Sequence, residues 1–334
     1  MKVSDNITAA PLGTDTTPHF DVVTLGEILI DFTYAGTNEQ GQTLFAQNPG
    51  GAPANVAVAV SRLGGRTGFL GKVGADMHGD FLRSVLEREG VDPSGLVADE
   101  HYFTTLAFVD VNEAGERSFS FARKPGADTK LRSEELNPAL LDHAALFHVG
   151  SLSLTDQPSR DTTFSALKRA KAHGAIISYD PNYRPSLWRS EAAAMRQMRG
   201  LVPYVDLMKL SDEETLLLTG RSDPAEAAQK LMDRGVQVVA VTLGSRGAYL
   251  RCREGDALIP GFETQVADTN GAGDCFWGAF LFQVARSGKR AEELTLEELT
   301  EMGRFANAAA SLCVEKPGAI PAMPTLEEVQ ARLG

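Results

Sequence analysis

The sequence has few of the features that mark secreted, metal-binding or membrane proteins. Its 334 residues include three cysteines, Cys252, Cys275 and Cys313, an odd number at wide spacing that favours reduced thiols over disulfides or zinc ligands. The six histidines show no HExxH or HxxxH pairing, which argues against a histidine-ligated metal. No apolar run approaches the roughly 18 residues needed to span a bilayer. We therefore expect a cytoplasmic protein with structural cysteines.

Positive charge is also scarce. The chain has 32 Lys and Arg residues against 44 Asp and Glu residues, a net charge of −12. Because non-specific binding to nucleic acid or to an anionic membrane needs a basic surface, neither is expected as a partner. Residues 1–19 lack the basic and apolar regions of a signal peptide and are predicted to form a flexible extension.

Two familiar nucleotide-binding motifs are missing as well. Gly71 and Lys72 are followed by Val73, so the chain has no GxxxxGK[ST] loop, and no GxGxxG opens the first strand–helix unit. Walker-type NTPases and dinucleotide-dependent oxidoreductases are therefore disfavoured.

The pattern that is present is an alternation of apolar strands and helices. It predicts an α/β fold with a doubly wound, mostly parallel central sheet flanked by helices, in a single domain over residues 20–334. A polar stretch before residue 48 and alternating residues around position 110 predict a small β-sheet lid, built from about residues 33–48 and 99–123. Strands are predicted at 144–150, 174–180, 205–210 and 236–244, and C-terminal helices at 271–286 and 296–314.

The segment DTNGAGD, residues 268–274, carries the strongest chemical signal. Gly271, Ala272 and Gly273 let the backbone approach a ligand closely, and the following helix presents amide N–H groups and the positive end of its dipole. This combination predicts a phosphate site. Asp274 is either an ordinary first-turn acid or the general base for a hydroxyl that attacks the phosphate.

A second group lies near the N-terminus. Asp31 interrupts an apolar strand near its predicted carboxyl end, and Gly50 and Gly51 precede a helix that contains Asn55. Carboxylate and amide groups bind sugar hydroxyls well, although a turn acid beside a plain glycine turn is the alternative.

Three further loops follow predicted strands. The loop 180–185 (DPNYRP) is predicted to be either a proline-stiffened turn or part of a site. The segment 242–247 is predicted to be either a plain hairpin or a ligand-binding turn. The acidic segment from Ser211 to Glu214 either caps a helix or holds water around a divalent cation.

Together these segments resemble the ribokinase-like carbohydrate kinase family, over nearly the whole chain from about residue 20. The resemblance is carried by DTNGAGD, GGAPANVAVAVSRLG, GKVGADMHGDFL, VTLGSRGAYL and FANAAASLCVEKPGAIPAMPT. Within the family, RKPGADTKL, FHVGSLSL, SYDPNYRPSLW and LMKLSDEE are most similar to the fructokinases of bacteria and plants. The resemblance implies a ribokinase-like fold and ATP-dependent phosphorylation of D-fructose to fructose 6-phosphate.

The resemblance also implies site residues. Asp274 would be the catalytic base, and the anion hole would be formed by Gly271, Ala272 and Gly273. The sugar would be bound by Asp31, Gly50, Gly51, Asn55 and Arg184. The nucleotide would be bound by Ser211, Thr242, Gly244, Gly247 and Asn307.

The same resemblance implies that the protein binds cations. Glu214 would organise water around Mg²⁺, although Ser211 replaces the Asn of the family's Asn-x-x-Glu motif. A monovalent cation such as K⁺ would be held, largely by backbone oxygens, at Asp268, Asn270, Cys313, Lys316 and Gly318.

Two other functions remain open from the sequence. A kinase for a sugar acid such as 2-keto-3-deoxygluconate would need a cation beside the substrate carboxylate, and Arg184, Arg123 or Lys124 could serve. A non-catalytic sugar-binding regulator could keep the fold. An exposed lid edge further predicts a homodimer formed through the lid.

Overall fold

The computed structural model describes residues 19–111 and 117–334, so the extension predicted for residues 1–19 lies outside the described residues except for His19. Within these ranges the strands are β1 (Phe20–Leu25), β2 (Leu29–Thr37), β3 (Thr43–Gly50), β4 (Thr67–Gly74), β5 (Val91–Asp99), β6 (Leu106–Val111), β7 (Arg117–Ala122), β8 (Ala144–Val149), β9 (Ile176–Tyr179), β10 (Leu207–Ser211), β11 (Val238–Thr242), β12 (Ala248–Cys252) and β13 (Gly255–Ile259). The helices are α1 (Ala52–Arg62), α2 (Met77–Arg88), α3 (Pro138–Asp142), α4 (Ser159–Ala172), α5 (Glu191–Leu201), α6 (Asp212–Thr219), α7 (Pro224–Met232), α8 (Ala272–Ser287), α9 (Leu296–Cys313) and α10 (Leu326–Leu333).

The larger sheet of the described chain has nine strands in the order β13-β12-β11-β10-β9-β8-β1-β4-β5. Neighbours from β11 to β5 pair in parallel, and β12 and β13 continue the sheet in antiparallel fashion. One apolar core lies between the sheet and α1, α2, α8, α9 and α10, and a second lies on the opposite face with α3 to α7. The predicted doubly wound α/β fold is therefore confirmed.

The predicted strands and helices of the second half are confirmed with small changes at their ends. The four strand candidates form β8, β9, β10 and β11, and the two C-terminal helices are α8 and α9. At the start of α9, Thr295 and Glu298 form the capping box, with Glu298 Oε2 accepting the Thr295 N–H at 3.0 Å. No helix in the described ranges is long and apolar enough to cross a bilayer.

A second sheet of four strands, in the order β3-β2-β6-β7, is built from the two segments of the predicted lid. The small sheet begins earlier than expected, at Leu29. Residues 99–105 lie outside it, because Asp99 is the last residue of β5 in the larger sheet and β6 begins only at Leu106. The predicted position of Asp31 near the carboxyl end of its strand is wrong. The first strand ends at Leu25, and Asp31 is the third residue of β2 in the small sheet.

Gly26 makes this break between the two sheets. A side chain at Gly26 would place its Cβ 2.5 Å from Pro53 Cγ, so the chain can turn away against the start of α1 only because Cβ is absent. The turn brings Asp31 to the same end of the large sheet as α1.

Helix α8 is fixed by close packing and by a polar contact under it. Gly278 faces α1, where a Cβ would lie 2.6 Å from Ala59 Cβ and 3.0 Å from the Val56 carbonyl oxygen. From the preceding position in the helix, Trp277 Nε1 donates to Ser178 Oγ of β9 at 2.9 Å. These contacts determine where the first turn of α8 lies relative to α1 and the sheet.

We expect Gly278→Ala to lower the free energy of unfolding by about 1–3 kcal/mol, because the added methyl overpacks the α1–α8 contact. The matched control is Gly200→Ala in α5, where an added Cβ meets no atom within 4 Å. That variant should instead be more stable by about 0.5 kcal/mol, since alanine has less freedom to lose on folding. Denaturant unfolding of both variants checks this, and equal stability of the two would contradict it.

Candidate active site

The first turn of α8 has the geometry that the predicted anion site requires. Gly271 is the N-cap residue with φ 74°, and a Cβ there would come within 2.8 Å of Ala319 Cβ. Both the left-handed backbone and the close contact therefore require glycine. The amides of the following residues lie at the positive end of a 16-residue helix, where the first N–H groups have no acceptor within the helix. The site suits a phosphoryl group, as the sequence predicts.

Asp274 lies in this first turn and is buried. Its Oδ2 accepts a hydrogen bond from Asn55 Nδ2 at 2.7 Å, and its Oδ1 accepts one from Asn182 Nδ2 at 3.2 Å. Burial, together with the nearby charge of Asp180, raises the pKa of Asp274 to about 6, and Lys209 opposes the shift. A carboxyl group with this pKa is ionised at neutral pH and can still accept a proton, as a general base must.

The residues predicted to bind sugar surround a small cavity beside Asp274. Asp31, Gly51, Asn55 and Arg184 line it. Gly50 does not line it but makes room for the acid, because a Cβ on Gly50 would lie 2.2 Å from Asp31 Oδ2. Burial raises the pKa of Asp31 to about 6, and the Arg184 guanidinium opposes that rise. The structure thus brings together the acids, amides and cation that the sequence placed far apart.

Sequence reasoning missed two polar residues of this cavity. Glu27 is buried, its Oε1 accepts the N–H of Ala52 at 3.0 Å, and burial raises its pKa to about 7. Asn182, with φ 45°, holds Asp274 as described above. A charged residue inside an otherwise buried run was the available signal for Glu27, and the DPNYR loop was the signal for Asn182.

A second cavity of about 700 Å³ lies on the other side of the α8 N-terminus, within the range typical of ligand pockets. Thr242, Gly244, Gly247 and Asn307 line it together with Ala272 and Gly273. Asn307 Nδ2 donates to the carbonyl oxygens of Ile259 and Pro260, both at 3.1 Å, and so shapes one wall. Ser211 is outside the lining and pairs with Thr242 across β10 and β11.

Glu214 has a clear structural role. Its Oε2 accepts the N–H of Ser211 at 2.9 Å, which completes a capping box for α6, and its Oε1 accepts the N–H of Tyr183 at 2.7 Å. Burial and the charge of Asp180 raise its pKa. Glu214 therefore caps α6, which is one of the two roles that the sequence allowed. Its other predicted role, binding Mg²⁺ through water, stays a prediction.

The residues predicted to hold a monovalent cation lie together except for one side chain. Asp268 accepts the N–H groups of Asn270 at 2.7 Å and Gly318 at 3.0 Å, and Cys313 Sγ is 3.9 Å from the Asn270 carbonyl oxygen. The Lys316 ammonium lies elsewhere, 2.8 Å from Glu328 Oε1. Across the described ranges, no group of three or more His, Cys, Asp or Glu side chains is arranged to hold a metal.

Comparison with known proteins assigns the family. Residues 19–326 match the model of the "pfkB family carbohydrate kinase". The chain belongs to this family. It is 42% identical over 311 residues to fructokinase-1 of Zea mays, covering 92% of this chain and 96% of that protein.

Solved structures agree with this assignment. A fructokinase from Xylella fastidiosa with bound ATP superposes with a TM-score of 0.86 at 37% identity, covering 94% of this chain and 98% of that one. A fructokinase from Vibrio cholerae O395 in a fructose-, ADP- and calcium-bound form gives 0.85 at 33% identity, covering 94% and 99%. The resemblance inferred from the motifs is confirmed, and the chain is an ATP-dependent carbohydrate kinase.

Proposed function

We propose that this kinase transfers the γ-phosphoryl group of MgATP to the primary 6-hydroxyl of D-fructose. The observation that carries the proposal is the position of Asp274 at the start of α8, between a cavity lined by sugar-binding groups and a larger one that reaches Gly273. An acceptor hydroxyl and a donor phosphate placed in these cavities would meet at the anion site. The fructokinases among the relatives support fructose as the acceptor.

In this mechanism Asp274 accepts the proton of the sugar 6-hydroxyl. The hydroxyl oxygen bonds to the γ-phosphorus as the bond between that phosphorus and ADP breaks. The amides that follow Gly271 and the α8 dipole stabilise the charge on the transferred group. Asn55 and Asn182 hold the Asp274 carboxylate in place. Asp31 and Arg184 bind and orient the sugar.

The proposed cations fit the groups that are present. Each oxygen of Glu214 accepts one backbone N–H and keeps a lone pair for a water molecule, so Glu214 could hold Mg²⁺ through water. Bound magnesium would neutralise charge on the phosphate oxygens. Backbone oxygens around Asn270 and Cys313 would hold K⁺.

The lid role of the small sheet is also proposed. Asp31 on β2 and Phe121 on β7 both line the sugar cavity, so sugar binding would tie this sheet to α8. Closure would exclude water, which would otherwise accept the phosphoryl group.

The charge around the sugar cavity disfavours a sugar acid as substrate. Among the described residues that line it, Glu27, Asp31 and Asp274 are acidic and Arg184 is the single cation. Arg123 is committed to a buried ion pair with Asp128 at 2.6 Å, and Lys124 lines a neighbouring cavity. A substrate carboxylate would therefore face more negative than positive charge.

We expect turnover with fructose to exceed turnover with 2-keto-3-deoxygluconate by at least about tenfold, because the acid lacks a sufficient cationic partner. An ADP-release assay over a panel of sugars and sugar acids measures this. Equal or faster turnover of the sugar acid would overturn the choice of fructose. The same assay with EDTA, and with sodium in place of potassium, tests the proposed cations.

Asp274→Asn should lower kcat by about 10²- to 10⁴-fold, because the amide keeps the shape of the carboxylate but cannot accept the proton. Fructose binding by calorimetry and the thermal unfolding curve serve as controls for folding. Near-normal turnover in the folded variant would refute the assignment of the base. Fructose binding without ATP turnover in the unmodified protein would instead favour the non-catalytic regulator.

The homodimer is proposed through the exposed face of the small sheet. Phe45 and Phe108 pack edge to face with ring centroids 5.9 Å apart, Tyr34 pairs with Phe45 across β2 and β3, and all three side chains are more than a third exposed. A second copy of the chain would cover this apolar group. We expect Phe45→Asp to shift a dimer to a monomer in analytical ultracentrifugation. A monomeric unmodified protein would contradict the proposal.

A further inference from the structure

A buried ion pair under the α8 N-terminus is not used by the mechanism above. Lys209 lies in β10 and Asp180 follows β9 directly; their side chains are 6% and 2% exposed. Lys209 Nζ is 2.6 Å from Asp180 Oδ2, and Asp180 Oδ1 is buried with no hydrogen-bond partner among the described residues. Burying two charges is costly, and an apolar pair of similar volume is often at least as stable. Stability alone therefore does not explain why a lysine lies at this position.

The lysine points at the anion site. Side chains alternate along β10, so Lys209 shares a face with Leu207, which belongs to the core beneath α8. A Cβ built on Gly273 would be 3.2 Å from Lys209 Nζ, so the ammonium lies directly against the first turn of α8. An ammonium has three N–H donors, and Asp180 occupies one of them.

The charges that face Asp274 show what the ammonium balances. The groups that face Asp274 come from the elements packed against it. They are Asp180, Asn182 and Arg184 in the loop after β9, Asn55 in α1, Lys209 in β10, and Cys275, its neighbour in α8. Glu214 of α6 lies close enough to Lys209 to interact with it, and Asp31 and Glu27 line the cavity. Arg184 is exposed, whereas Lys209 is the buried cation of this set. A phosphoryl group would bring further negative charge to the same place.

We propose that Lys209, anchored by Asp180, is a positioning residue for phosphoryl transfer, whose ammonium places a fixed positive charge against the first turn of α8, beside the Asp274 carboxylate and the arriving phosphoryl group. This inference rests on the proposed function. Lys209 keeps its proton throughout, and the proton of the sugar hydroxyl goes to Asp274. The nearby positive charge acts most strongly as negative charge grows on the transferred group.

The test compares Lys209→Met with Asp180→Asn. In Lys209→Met we expect kcat to fall by about 10²-fold, with little change in the KM for fructose, because Lys209 does not line the sugar cavity. The acidic limb of the kcat/KM profile, expected near the Asp274 pKa of about 6, should move to higher pH by about one pH unit. Asp180→Asn should move that limb to lower pH, because it removes a negative neighbour of Asp274. If Lys209 and Asp180 had a purely structural role, the two variants would not shift the acidic limb of the kcat/KM profile in opposite directions.

The matched control is Lys72→Met. Lys72 is equally buried, with its side chain 4% exposed, and pairs with Asp99 and Glu135 at 2.7 Å outside both cavities. Its loss should leave the pH limb unchanged. If Lys209→Met does not fold, the double variant Lys209→Met with Asp180→Asn removes both charges and should still lose kcat by at least about tenfold.

Two results would overturn the inference. One is a folded Lys209→Met whose acidic limb and kcat match those of the unmodified protein; the other is a double variant with normal kcat. Failure of the proposed function would look different, because the unmodified protein would then show no turnover with fructose.

Discussion

At the start of α8, negatively charged groups are buried close to one another, and their repulsion must be balanced. In the proposed mechanism a carboxylate must stay ionised there, and a phosphoryl group must come within bonding distance of the hydroxyl that the carboxylate deprotonates. Burial and the charge of Asp180 raise the pKa of Asp274, which lies at about 6 once its neighbours of opposite effect are included. Helix amides, the two asparagine donors and the Lys209 ammonium provide the compensating positive potential. Removing any one of them makes the ionised base or the phosphoryl group less stable.

The rest of the fold serves to place these groups within a few ångströms. Gly278 lets α8 approach α1, which puts Asn55 against Asp274, and Trp277 ties the helix to Ser178 in β9. Adjacent parallel strands end at the same edge, so Asp180 after β9 and Lys209 in β10 lie side by side below the helix. The same geometry separates the two cavities and leaves the anion site between them.

The overall charge of −12 fits this local solution. A long-range positive surface is absent from the composition, so attraction for a polyanionic nucleotide depends on short-range dipoles and buried cations. Such interactions are strong because water is excluded from around them.

Local sequence patterns were sufficient for the fold class, for the strands β8 to β11, and for the glycine turn that begins α8, because period, glycine placement and helix capping are properties of short segments. The same patterns could not assign Asp31 to the small sheet, since that assignment depends on its pairing with Asn48 of β3 and Ala107 of β6, which are distant in the chain. They also gave no role to Glu27, Asn182 or Lys209. Their meaning depends on which groups surround them, and those neighbours come from positions far away in the chain: Asn182 reaches Asp274 across 92 residues and Asn55 reaches it across 219. The sequence by itself determined the elements and the kind of chemistry; tertiary structure decided which charges meet, because electrostatic balance in a buried site is set by distance in space.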